Sequence, residues 1–160
     1  MSVAFVRVES AAAAQEVSLP PRAISAHPNL VTQSGLRALE RALADSEQAL
    51  KAAQALLDAN ERRRAREHAE RDLRYFHERL LSAQLRPDPQ SPDAVVFGAR
   101  VTMERDGARR QTYRIVGEDE AEPRAGSISY VAPLARALMG KRVGDVIVLD
   151  GHEVEIIAIA

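Results

Sequence analysis

From Leu36 to Ala83 the chain holds neither glycine nor proline, and one seam of positions, Leu36, Leu39, Leu43, Ser46, Leu50, Ala53 and Leu57, advances by alternating steps of three and four. That is the spacing of a coiled-coil seam. It resumes as Ala69, Leu73, Phe76, Leu80 and Ala83. The two runs mirror one another: 36 pairs with 83, 39 with 80, 43 with 76, 46 with 73 and 50 with 69, each pair sharing the sum 119. Such symmetry predicts an antiparallel helical hairpin over residues 32–85 whose tip falls at 58–61. One unbroken helix of about 48 residues, roughly 70 Å at ~1.5 Å per residue, is the alternative, and it would need a partner chain along its seam.

The flanking segments have other periods. Thr32 stands where it can cap the first helix, with Val31 and Leu36 placed for a hydrophobic staple. Residues 1–31, with an alanine run and Pro20, Pro21 and Pro28, sustain neither period and read as a flexible leader. Residues 86–94, opening on Arg-Pro-Asp-Pro, read as a linker. Over 95–160 short alternating runs predict strands: 99–104 and 111–116 around Asp106-Gly107, 145–149 and 153–157 around Asp150-Gly151, and 127–131 between them. Pro133 to Met139 reads as one short helix closed by Gly140. The expected fold class is α+β: a two-helix coiled coil followed by an antiparallel sheet with one short helix.

Charge narrows the partners. With 22 basic and 23 acidic residues the formal net charge is -1, so bulk attraction to nucleic acid or anionic lipid is not the basis of binding. Cysteine is absent, which excludes disulfides, thiolate nucleophiles and thiolate-bound zinc. Arg7 and Glu9 interrupt any signal-peptide core, and no run of about 18 apolar residues occurs, so the reading is a soluble, cytoplasmic protein without membrane contact. His27, His68, His77 and His152 lack metal-ligand spacing, and no phosphate loop or nucleophile elbow is present, so no catalysis of the chain's own is expected.

Three stretches carry a resemblance. Phe97 to Thr102, Thr112 to Ala121 and Pro133 to Lys141 resemble the C-terminal domain of the bacterial GreA/GreB transcription factors, and Thr32-x-x-Gly35-x-x-x-Leu39 with Ala83-Gln84 is similar to the ends of their hairpin. The resemblance covers residues 32–160. It implies an FKBP-like domain that docks on the rim of the RNA polymerase secondary channel, a hairpin inserted into that channel, and a monomer whose partners are bacterial RNA polymerase and the nascent RNA 3′ end. It further implies that tip carboxylates help to hold Mg²⁺ shared with the polymerase, so that backtracked RNA is cut by the polymerase's own nuclease activity; the factor brings no cofactor. Asp119, Pro133 and Leu134 become candidates for the rim contact, although Glu118 to Glu122 would otherwise read as a plain solvated loop.

The mirror centre and the resemblance converge on Asp58 and Glu61, three residues apart as in cleavage-active relatives. Carboxylates are the side chains Mg²⁺ prefers. As residues alone they read equally well as polar turn residues, with Asn60 suited to a left-handed position. Beside them Arg62, Arg63, Arg64 and Arg66 form either a solvated charged face or a patch for RNA phosphates. The longer acidic motif of the family is missing, and each arm is shorter than usual by about a heptad, roughly 10 Å. A non-cleaving occupant of the channel is therefore the alternative function, and a proline isomerase or chaperone built on the FKBP-like domain is a third.

Overall fold

The computed structural model describes residues 18–160. Strand β1 (Leu30–Val31) leads into helix α1 (Gln33–Gln54), which turns back through residues 55–58 into α2 (Ala59–Leu81) and the short strand β2 (Gln84–Leu85). Thr32 caps α1, its Oγ1 accepting from the Gly35 N–H at 3.0 Å. Toward the turn the arms meet along small side chains. Leu39, Ser46 and Ala53 on one arm and Ala69 on the other are buried, and the Ser46 hydroxyl is satisfied within its own helix by the Ala42 carbonyl at 2.8 Å. Small residues allow close approach but bury little apolar area, so the packing weakens toward the turn. The seam ends before Leu57, which is 97% exposed at the turn rather than packed. Asn60 is helical, in the first turn of α2, and not left-handed.

β1 and β2 pair in parallel, Leu30 with Gln84 and Val31 with Leu85, and close the root of the hairpin. Residues 18–31 therefore do not form the free leader expected for that part of the chain; residues 1–17 lie outside the described residues. The Arg22 guanidinium stacks 3.7 Å from the centre of the Tyr75 ring and pairs with Asp72 at 3.2 Å. Asn29 is buried, and its Nδ2 donates to the carbonyl of Arg79 at 2.7 Å. A strap of this kind has no periodicity of its own, because a partner surface dictates its path.

The second unit is a five-stranded sheet in the order β5-β4-β3-β7-β6, from β3 (Arg100–Arg105), β4 (Arg109–Val116), β5 (Ser127–Ser129), β6 (Val146–Leu149) and β7 (His152–Ile159). The sheet is antiparallel except at β4–β5, which pair in parallel. That departs from an all-antiparallel expectation because the connection through residues 117–126 crosses back instead of turning tightly. Both Asp-Gly turns form with two consecutive left-handed residues, φ 50° and 67° at Asp106 and Gly107 and 52° and 78° at Asp150 and Gly151, the hairpin geometry that suits strand twist. Inward-facing Val101, Met103, Ile115, Val154 and Ile156 pack with Val95 and with Leu138 and Ala135 of α3 (Pro133–Leu138).

Candidate functional site

The tip of the hairpin is built around a helix cap. Asp58 is the N-cap of α2: its Oδ1 accepts from the backbone N–H groups of Asn60 at 2.9 Å and Glu61 at 2.8 Å, satisfying two donors that the helix start leaves open. The same oxygen makes both bonds, which leaves Oδ2 of this exposed residue with no partner among the described residues. Glu61 is exposed in the first turn, where a carboxylate also favours the helix dipole. Two exposed carboxylates thus stand at the extreme end of the molecule opposite the sheet. Among the described residues no group of three or more histidines, aspartates or glutamates could hold a metal ion, so these two could supply only part of a coordination shell.

Behind the carboxylates the arginines divide. The Nη1 of Arg62 donates to the Leu56 carbonyl at 2.9 Å and thereby closes the turn. Arg62, Arg63 and Arg66 border one shallow depression with Gln54 and Ala59. Arg66 also donates to Glu70 at 2.7 Å, one turn along. Arg64 is exposed but does not border that depression. The four arginines named from the sequence therefore do not form one face; three do.

The root of the hairpin is where the structure adds most. Loop residues Glu118, Asp119 and Glu120, at the end of β4, turn onto the helices. Asp119 accepts from the Tyr75 hydroxyl through Oδ1 and from the Arg79 Nε through Oδ2, both at 2.5 Å. Glu118 lies 3.9 Å from the other end of the Arg79 guanidinium, whose side chain is 2% exposed. Glu120 accepts from the Thr32 and Ser34 hydroxyls, again at 2.5 Å each. Burial of Tyr75, reinforced by its bond to Asp119, pushes the phenol up to about 12. The Tyr130 hydroxyl, also raised by burial and then by the charge of Glu118, donates to the Pro28 carbonyl of the strap.

Of the three residues expected on a rim-docking surface, Asp119 has its carboxylate engaged inside the molecule. Pro133 is exposed at the first position of α3, and Leu134 is half-buried against the sheet core. Tyr75, Arg79 and Glu120 were not singled out from the sequence. A charged residue on a charged helix gives no sign that it is buried, and the one available signal was three consecutive acids that needed a cation.

A family model described as "Transcription elongation factor, GreA/GreB, C-term" matches residues 89–160. Transcription elongation factor GreB of Yersinia pestis is 35% identical over 136 residues, which cover 75% of this chain and 79% of that protein. GreB of Neisseria meningitidis serogroup B is 40% identical over 105 residues, covering 61% of this chain and 63% of that protein, so the chain spans less than two thirds of this relative's length. A crystal structure of GreA factor homolog 1 (Gfh1) of Thermus thermophilus matches over 84% of this chain and 99% of that one, with a TM-score of 0.39 and 23% identity. With one GreB protein matched along most of its length and the family's C-terminal model matched by the sheet unit, the chain belongs to the GreA/GreB family of transcription elongation factors.

Proposed function

We propose that this protein binds bacterial RNA polymerase through its sheet unit, extends the hairpin into the secondary channel, and uses Asp58 and Glu61 to stimulate cleavage of backtracked transcripts by the polymerase. One observation carries the reading: the two carboxylates stand exposed at the far end of a hairpin of 22- and 23-residue helices, roughly 33 Å from its root at ~1.5 Å per residue. Mg²⁺ bound in the polymerase would supply the charge that stabilises the entering and leaving oxygens of phosphoryl transfer. What this chain contributes is ligand oxygens, Oδ2 of Asp58 and the carboxylate of Glu61, held at a tip stiffened by the cap and by Arg62. Arg62, Arg63 and Arg66, immediately behind, offer guanidinium groups to the phosphates of the displaced RNA 3′ end.

The test is cleavage of RNA in a stalled elongation complex. The informative variant is Asp58→Asn, because asparagine is as good an N-cap as aspartate and removes only the charge. A drop of about a hundredfold or more in cleavage with binding preserved supports the reading, a single lost electrostatic contact being worth that much. Undiminished cleavage by Asp58→Asn and by Glu61→Gln sinks it. A second reading, a non-cleaving occupant of the channel, is favoured by the share of Asp58 already spent on the cap. Robust cleavage at stoichiometric wild-type protein rules that out.

A further inference from the structure

We infer that Asp119 and Glu120 are positioning residues: they aim the hairpin by locking the sheet unit onto its root, with Tyr75 as the junction where strap, helix and loop converge. The covalent connection cannot do this. Between β2 and β3 the chain runs through Pro87, Pro89 and Pro92 with no regular structure; Arg114 holds Asp88 at 2.6 Å, and the backbone bonds of Val95 to Lys141 and of Gly98 to Ile115 fix only the far end of the connection to the sheet unit.

Direction comes from the acids. Asp119 takes a phenol and a guanidinium from α2, and Glu120 takes two hydroxyls from the start of α1, so one loop holds both arms at once. A pair of contacts on each arm resists rotation in a way that a contact to one arm would not. Tyr75 adds the strap, because its ring carries Arg22 while its hydroxyl reaches Asp119. The strap in turn grips both units, through Asn29 on α2 and through Tyr130 on the sheet side.

With the anchor at Arg79 and the working residue at Asp58, the free arm is roughly 30 Å at ~1.5 Å per residue, and a tilt of about 10° would carry the tip some 5 Å. Carboxylate ligation of Mg²⁺ tolerates only tenths of an ångström around ~2.1 Å. Asp119 thus acts inside the molecule instead of on the polymerase rim. The consequence for cleavage rests on the function proposed above; the aiming itself does not.

The experiment measures aim directly. The chain has no cysteine, so Lys51→Cys on α1 and Glu155→Cys on β7, both exposed, take a spin-label pair without further changes. The otherwise unaltered protein should give one narrow distance distribution. The double variant Asp119→Ala, Glu120→Ala should broaden it or move its mean by about 5 Å or more, as the lever predicts, with helix content by circular dichroism unchanged. Glu122→Ala, which removes one acid from the same loop without touching the helices, should leave it narrow. An unaltered distribution in the double variant overturns the inference, and so does equal broadening by Glu122→Ala. If the double variant fails to fold, Tyr75→Phe decides by the same readout, since it keeps the ring under Arg22 and removes only the hydroxyl.

A parallel assay separates aim from docking. The double variant should bind polymerase within about twofold of normal while losing about tenfold or more in cleavage at saturation. Full recovery of cleavage at higher protein concentration would instead make these residues a docking contact and overturn the inference. Should the unaltered protein not cleave, the proposed function fails, and the distance distributions still decide the positioning role.

Discussion

Tyr75 concentrates most of what the fold asks of a single side chain. Burial and the Asp119 bond favour its neutral form and raise its pKa from the ordinary 10.0 to about 12. A folded-state pKa above the unfolded one stabilises the fold fully below the unfolded value, and that contribution is lost as pH rises through the folded value. Stability should therefore fall between about pH 10 and 12 in part through this group, and chemical denaturation of Tyr75→Phe across that window should show a shallower fall. Asp119→Ala should also bring one tyrosine's absorbance titration back toward 10. Gly117 makes a steric prediction: a Cβ there would meet the Leu30 carbonyl oxygen at 2.3 Å, a backbone atom that cannot swing aside. Gly117→Ala should cost about 1–3 kcal/mol, the range for overpacking, as read from denaturant midpoints.

At the scale of elements, the hairpin is tight at its root and thin at its tip. Leu39, Phe76 and Leu80 lie near the root with the buried Arg79, whereas Ala53 and the exposed Leu57 lie near the turn. Native-state hydrogen exchange should reflect this, with amides around residues 39 and 76 protected far more than those around 53 and 62, and equal protection along the arms would contradict the packing argument. Because Asp58 is both cap and candidate ligand, its alanine variant confounds two roles. Asp58→Ala should lose about 1 kcal/mol of stability through the cap, while Asp58→Asn should melt near the unaltered protein. A thermal scan of the two variants distinguishes them.

For the whole molecule, an isolated pair of helices whose seam near the tip is alanine and serine is marginal in water, since most helical stability in proteins comes from tertiary packing. Here the sheet unit and the strap supply that packing at the root. Helix signal and sheet-side tyrosine signal should accordingly disappear in one transition, and Leu138→Ala, which opens the fully buried core of the sheet unit at a cost of about 2–5 kcal/mol, should lower the melting of the helices as well. Two separate transitions, with the helices unmoved by Leu138→Ala, would show that the units are uncoupled.

The elements were legible in the amino-acid order because each follows a local rule. A seam of threes and fours gives two helices, Asp-Gly gives hairpin turns, and Thr32 and Pro133 open helices, each needing only neighbours a few residues away. The mirror symmetry of the seam reached further, locating the turn to within a few residues. Local rules failed where partners are distant in the chain. Arg22 and Asn29 belong to a segment without periodicity that takes its order from α2, 50 residues away. Arg79 looks solvated on a charged helix until Asp119 closes over it, and Leu57 keeps the seam spacing after the partner arm has ended. Sequence determined which residues stand at the tip; tertiary structure alone decided where that tip points, because its direction is set by contacts between acids and helices more than 35 residues apart.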